Sequence, residues 1–275
     1  MNNEIIENYF ISNGSKYPSN QIIDFCISQP TIYEVIRVIE GVPLFLEDHL
    51  VRLQASATSL NIDIQGILSS ITSDISELIK INNNPEKNIK LVVYNLENKT
   101  PDYIISFIHS NYPTKEQYLV GVPTILFHAE RHNPNAKIIN NELRETINIK
   151  LKEENAYEVL LVNSRGEITE GSRSNLFFIE EGKVYTASAE NVLIGITRKY
   201  ILKACNNLKL EVIEQPIPFS MLEYAEGAFI TGTSPKVLPI ASIDGMLITS
   251  ANNSIVSDIL NEYDIILKQY ITIHK

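Results

Sequence analysis

Within the first forty-six positions of the chain, the pattern of apolar and polar residues predicts strands. Ile32 to Ile39 is rich in β-branched residues and alternating, Glu40-Gly41 turns, and Val42 to Leu46 returns, which predicts a hairpin. Tyr9 to Gly14 reads as a shorter strand closed by a turn. The period then lengthens. Asp48 is the predicted N-cap of a helix in which Leu50, Leu53, Ala57 and Leu60 recur at helical spacing, with His49 and Arg52 off that apolar face. A second amphipathic helix is predicted over 65–81, where Ile67, Leu68, Ile71, Ile75, Leu78 and Ile79 share one side. Asn82-Asn83-Asn84-Pro85 ends it, because proline has no amide hydrogen to give a helix interior. Strands over 88–95 and 103–109 follow, so the first half predicts an α+β unit on an antiparallel sheet.

The pattern breaks at Tyr112-Pro113-Thr114-Lys115, and the domain boundary is expected there: an N-terminal domain over 1–112 and a C-terminal domain over 117–275. The second half predicts a strand over 122–129, a helix over 138–154, and strands over 157–163 and 173–180. Between those strands, residues 166 to 178 read as a polar turn leading into a core strand, with Glu170 at the hinge. Glu181-Gly182 makes a hairpin, and Gly195-Ile196-Thr197 starts a helix. Ser220-Met221-Leu222-Glu223 has the capping-box pattern before a short helix. A strand over 226–231, a hairpin at Asp244-Gly245 and a helix over 250–272 complete the chain.

Composition narrows the function. A hydrophobic share of 44% over 275 residues supplies a sizeable core. The net charge of −10 argues against a nucleic-acid footprint, which needs a basic stripe. Cys26 and Cys205 form neither a disulfide framework nor a metal site and are expected as buried free thiols, consistent with a reducing cytoplasm. The first residues lack a basic start and an apolar block, and no apolar run reaches the ~20 residues that span a bilayer, so a signal peptide and a membrane span are not expected.

His128-Ala129-Glu130-Arg131-His132 lacks the glutamate directly after the first histidine that a zinc-protease helix needs, and Asn133-Pro134 truncates any helix there, so no metal is expected. Two anion cradles remain. Gly195-Ile196-Thr197 opens a helix and aims backbone amides and a hydroxyl at one spot. Gly232-Thr233-Ser234 ends a strand and offers similar groups. Each alone is an ordinary cap or turn; two in one domain beside Glu170 suit a phosphate-bearing cofactor with a basic nitrogen. Pyridoxal 5′-phosphate meets that description: it takes phosphate donors, an acid partner for its ring nitrogen and a lysine for a Schiff base.

Several stretches resemble the class IV aminotransferases, the fold-type IV pyridoxal-phosphate enzymes that include branched-chain and D-amino acid aminotransferases and aminodeoxychorismate lyase. They are Glu-Ile-Thr-Glu-Gly-Ser-Arg-Ser-Asn-Leu-Phe at 167–177, Gly-Ile-Thr-Arg at 195–198 and Phe-Ile-Thr-Gly-Thr-Ser at 229–234. Tyr33-Glu34-Val35-Ile36-Arg37 and Asp48-His49-Leu50-Val51-Arg52-Leu53 match as well, so the resemblance runs over almost the whole chain in the family's order. It implies two α/β domains with the active site between them, and a homodimer. It also implies that Lys137 forms the Schiff base and shuttles the substrate proton, and that Glu170 keeps the ring nitrogen protonated. By the same resemblance Arg52, Ile196, Thr197 and Thr233 would hold the phosphate, Leu193 would pack on the ring, and Tyr33, Val35, Ser234 and Arg173 would face the substrate.

The implied activity is transfer of an amino group between an amino acid, of branched-chain or D-amino acid type, and a 2-oxo acid. The alternatives are a lyase of the aminodeoxychorismate type and a binding protein that keeps the fold without turnover. Departures concern the substrate. Glu142 stands where branched-chain enzymes carry a tyrosine, Val-Val-Tyr-Asn at 92–95 replaces their Tyr-Ile-Arg-Pro, and the Arg-x-His carboxylate trap of D-amino acid enzymes is missing after the strand over 88–95.

Overall fold

The computed structural model describes residues 4–131 and 134–275. The chain divides into two compact units. The first takes Met1–Asn111 together with Ala136–Ile139 and Lys268–Lys275; the second takes Tyr112–Asn135 and Asn140–Leu267. The first unit therefore includes segments distant in sequence, which local periodicity does not reveal.

The first unit is built on β1 (Tyr9–Ser12), β2 (Ser15–Pro18), β3 (Ile32–Ile39), β4 (Val42–Pro43), α1 (Leu46–Thr58), α2 (Leu68–Ile81), β5 (Asn88–Tyr94) and β6 (Asp102–Ile108). The strands form one antiparallel sheet in the order β2-β1-β6-β5-β3-β4. Even-numbered β3 residues Ile32, Glu34, Ile36 and Val38 are buried, and the odd-numbered ones are half-buried. Ile36, Ile89, Leu91, Ile105 and Phe107 from the sheet pack with Leu53 of α1 and with Ile71, Ile75 and Leu78 of α2 in one core. Such side chains stabilise a core by roughly 1.5–3 kcal/mol each when fully buried.

Helix α1 begins two residues before Asp48. Phe45, in the left-handed region at φ 55°, occupies the N-cap and offers no side-chain acceptor. The Leu46 N–H donates instead to the Tyr270 hydroxyl oxygen at 3.2 Å, and the Tyr270 hydroxyl donates to Glu47 at 2.7 Å. Asp48 thus lies in the first turn beside Glu47, where a negative charge still suits the positive helix end. His49 is buried, not set off the apolar face: it stands three residues after Leu46 and four before Leu53, so all three share the inward face.

The second unit contains α3 (Lys115–Val120), β7 (Val122–His128), α4 (Asn141–Glu153), β8 (Glu158–Val162), β9 (Glu167–Gly171), β10 (Asn175–Glu180), β11 (Lys183–Thr186), α5 (Ile196–Asn207), β12 (Val212–Glu214), β13 (Ile217–Pro218), β14 (Gly227–Gly232), β15 (Lys236–Ile243), β16 (Met246–Leu247) and α6 (Ser254–His274), whose last turns belong to the first unit. The sheet order is β12-β11-β10-β14-β15-β7-β8-β9-β13, with β16 on β15. It is mixed: β7 runs parallel to β8 and β15, and β11 parallel to β12. Leu160, Leu176, Phe178, Ile230, Leu238 and Ile240 are central to its core.

Four local expectations change. Residues 138–140 are not helical; Ile138 bridges Ile32 of β3, and α4 starts at Asn141, with Asn140 accepting the Leu143 N–H at 3.1 Å as its cap. Helix α3 was hidden because its six residues bury none of their side chains, although Thr114 and Gln117 form a full capping box. The Ser220 stretch is a 3-10 turn without a side-chain cap, since Pro218 precedes it in the cap position. Cys26 is exposed, while Cys205 is buried as expected.

Candidate active site

In the first unit, β3 and α1 bring three polar side chains into an otherwise apolar layer. Glu34 is fully buried on the helix-facing side of β3. Its Oε1 accepts from Arg52 Nε at 2.8 Å, and its Oε2 accepts from Arg52 Nη2 at 2.5 Å and pairs with His49 Nδ1 at 2.7 Å. Burial pushes the Glu34 carboxyl up, but the Arg52 charge and the hydrogen bonds from Arg52 and His49 outweigh it and hold the group down at about 2. Burial lowers the His49 pKa, and the nearby Arg52 and Lys137 charges lower it further, against a contrary pull from Glu34. The planar fork of Arg52 is therefore fixed by a bidentate pair rather than left to swing.

Lys137 reaches this layer through the short segment 136–139. Its carbonyl accepts the Tyr33 N–H at 3.1 Å, its own N–H donates to Ser56 Oγ of α1 at 3.1 Å, and Ile139 N–H donates to Thr31 at 3.3 Å. The Lys137 ammonium stands 4.7 Å from the centroid of the Tyr33 ring, a cation–π contact. A lysine near the middle of the sequence is thus tied by its backbone to β3 and α1. Tyr33 and Val35 point to the sheet face opposite Glu34, as strand alternation requires.

In the second unit, Glu170 sits in β9, not in a turn. Leu160 pairs with Gly171 and Val162 with Ile168, so Thr169 and Glu170 together oppose the single residue Leu161. This is a β-bulge, a device that re-aims a side chain. Glu170 is buried; its Oε2 accepts the Leu193 N–H at 3.1 Å, and its Oε1 lies 3.0 Å from Arg131 Nε. That last contact is an ion pair and not a directed hydrogen bond, since the Nε–H does not point at the carboxylate. Arg131 Nη2 donates to the Ser172 carbonyl at 2.7 Å.

Leu193 is fixed from both sides, because its carbonyl accepts Asn175 Nδ2 at 2.8 Å. Gly195 is the N-cap of α5, and no side chain caps that helix. A methyl group at Gly195 would sit 2.1 Å from Asn175 Oδ1, so the glycine is needed for a close approach. Ile196 and Thr197 open α5 and are buried. Thr233 and Ser234 lie half-buried in the turn between β14 and β15. Arg173 donates to Asn148 of α4. Glu142 lies in the first turn of α4 and is exposed.

The first unit thus contains Arg52, Val35 and the contacting pair Lys137 and Tyr33, and the second contains Ile196, Thr197 and the contacting pair Glu170 and Leu193. Three groups had no role in the sequence reading. Glu34 shows itself as an acid at an inward position of an alternating strand, which demands a partner. Arg131 sat inside the rejected metal stretch, whose His132 and Asn133 lie outside the described residues; among those residues no cluster of three metal-ligating side chains occurs. Glu158, at the head of β8, is buried and accepts from Ser172 and Ser174.

The chain matches the family model described as amino-transferase class IV over residues 31–243. It is 30% identical over 230 residues to the D-alanine aminotransferase of Bacillus licheniformis, covering 80% of this chain and 81% of that protein. Its fold superposes on the branched-chain amino acid aminotransferase of Escherichia coli with a TM-score of 0.84 at 21% identity, covering 95% of each chain. It superposes equally, at 0.84 and 22%, on a branched-chain amino acid aminotransferase of T.th. solved with pyridoxamine 5′-phosphate, covering 97% of this chain and 96% of that one. The chain belongs to the class IV aminotransferases, a family dependent on pyridoxal phosphate. Its reaction moves an amino group between an amino acid and a 2-oxo acid. Among the described residues, no helix is long and apolar enough to cross a membrane.

Proposed function

We propose that the chain binds pyridoxal 5′-phosphate through Lys137 and uses it to transfer the amino group of a branched-chain or D-amino acid to a 2-oxo acid, as a cytoplasmic homodimer. The observation that carries the reading is Glu170. Burying a carboxylate is costly unless it is paired, and this one is set on a bulge and held by Leu193 N–H and Arg131. That suits a group built to face a cationic ring nitrogen.

The donor set fits the cofactor. The amides of Ile196 and Thr197 stand at a helix end that no side chain caps, which is where a phosphate binds. Arg52 and Thr233 add a cation and a hydroxyl, and Leu193 offers an apolar surface to the ring. When bound, pyridoxal phosphate supplies the carbonyl that takes up the amino group and an electron sink for the substrate α-carbon. The protein does the rest. Lys137 Nζ holds the proton released at the α-carbon and returns it, which requires the amine to be neutral for part of the cycle. Glu170 remains ionised and keeps the ring nitrogen protonated. Tyr33, Val35, Ser234 and Arg173 border the substrate.

A half-reaction screen tests this. Conversion of the bound cofactor to its pyridoxamine form by branched-chain L-amino acids or by D-amino acids is the expected result, and the enantiomer that converts it assigns the substrate. Release of pyruvate from aminodeoxychorismate without that conversion contradicts amino transfer and identifies a lyase.

A further inference from the structure

Glu158 is a buried carboxylate with no cationic side chain paired to it among the described residues. It is satisfied by four neutral donors. Its Oε1 accepts from Ser172 Oγ at 2.6 Å and from the Val159 N–H at 2.9 Å; its Oε2 accepts from Ser174 Oγ at 2.9 Å and from the Arg173 N–H at 3.3 Å. Three of the four donors lie in residues 172–174, directly after Glu170 and Gly171. Neutral serines would satisfy one another or solvent at far lower cost than a desolvated charge. The shortest of the four, from the Ser172 hydroxyl, is 2.6 Å, within the range of a strong hydroxyl–carboxylate bond.

The loop is close-packed around that carboxylate. A methyl group on Gly171 would lie 2.0 Å from Ser174 Oγ and 3.1 Å from Glu158 Oε2, so only glycine lets the chain close over it. Gly171 N–H donates to the Ser174 carbonyl at 2.8 Å, and Ser172 N–H to the Val159 carbonyl at 2.9 Å. The clamp continues to Glu170 by a second route: the Ser172 carbonyl accepts Arg131 Nη2 at 2.7 Å, and the same guanidinium lies 3.0 Å from Glu170 Oε1. Glu158 therefore fixes both the loop that follows Glu170 and the cation that flanks it.

We infer that Glu158 is a positioning residue for amino transfer, which acts through the clamp on residues 171–174 and Arg131 to hold the Glu170 carboxylate in its working place. The inference rests on the reading of Glu170 as the partner of the cofactor's ring nitrogen. Displacing a functional group by about 1 Å can cost roughly a hundredfold in rate. A loosened clamp should cost part of that.

The test is a double-mutant cycle on the pyridoxal-phosphate-loaded protein, with the single-turnover rate of amino transfer, the absorbance of bound cofactor and the thermal midpoint read in parallel. Glu158→Gln should slow the transfer about tenfold or more and alter the absorbance of the bound cofactor, while adding less than about twofold in a Glu170→Gln background. Ser172→Ala removes one donor and keeps Glu158; it should give a smaller loss, again only when Glu170 is intact, and it carries the test if Glu158→Gln does not fold. Equal losses from Glu158→Gln or Ser172→Ala with and without Glu170, or a wild-type rate in both, overturn the inference. A wild-type rate in the single variant Glu170→Gln overturns the role of Glu170 itself, and the inference with it.

Discussion

Lys137 and Tyr33 hold each other at two levels: the Tyr33 N–H donates to the Lys137 carbonyl at 3.1 Å, and the Lys137 ammonium stands 4.7 Å from the centre of the Tyr33 ring. The backbone bond sets where the lysine leaves the chain, and the ring sets where its amine ends. The ring contact contributes about 0.5–1 kcal/mol. Tyr33→Leu is therefore expected to lower the rate at which pyridoxal phosphate is trapped by borohydride by roughly two- to fivefold, with Tyr33→Phe within about twofold of wild type. A Leu variant as fast as wild type would show that the ring does not orient the amine.

The Glu34 layer makes stability fall in acid. The Glu34 carboxyl is lowered from 4.5 to about 2 in the folded chain, so its contribution is complete above the unfolded value and is lost as pH falls from 4.5 towards 2. The shift corresponds to about 3 kcal/mol. His49, lowered from 6.5, acts in the same direction, because the unfolded chain takes up that proton first as pH falls through 6.5. Urea unfolding of Glu34→Gln should show a loss of roughly 3–5 kcal/mol at pH 7, since Arg52 is left without its carboxylate, and a flatter acid limb than wild type. Parallel acid limbs for the two proteins would assign the pH dependence to other groups.

Gly195 allows α5 to start against Asn175, whose Oδ1 would lie 2.1 Å from an added methyl. Gly195→Ala must push Asn175 aside and break its bond to the Leu193 carbonyl, at a cost of roughly 1–3 kcal/mol. The expected result is a lower thermal midpoint and weaker uptake of pyridoxal phosphate. Adding Asn175→Ala should restore part of the midpoint but not the uptake, because Leu193 stays unanchored. Full tolerance of Gly195→Ala in both measurements would show that the close approach is not needed.

The two thiols differ sharply. Cys26 is exposed, whereas Cys205 is fully buried in α5 and burial pushes its pKa up to about 12. A thiol-reactive dye should label Cys26 in the native protein and Cys205 only after denaturation. Rapid native labelling of both would mean that α5 opens readily.

Periodicity located the hairpin of β3 and β4, the two helices of the first unit and most strands of the second, because those elements bury a regular stripe. It missed features set by contacts across long distances. The start of α1 depends on Tyr270, more than two hundred residues away. Ile138, expected at the start of a helix, instead bridges Ile32 of β3. Glu170 looked like a turn residue because a bulge breaks the alternation that marks a strand, and the same irregularity aims its carboxylate. Its neighbours in sequence were legible as a motif. The groups that hold it, Arg131 and Glu158, were not, because nothing in a linear reading separates a buried ion from the many exposed ones.

The central claim is that Lys137 is the amine that bonds the cofactor. The direct measurement is reduction of the pyridoxal-phosphate-loaded protein with borohydride, followed by peptide mass mapping. One phosphopyridoxyl group is expected, on Lys137, and none in Lys137→Ala. A label on another lysine, or an unchanged label in that variant, contradicts the claim.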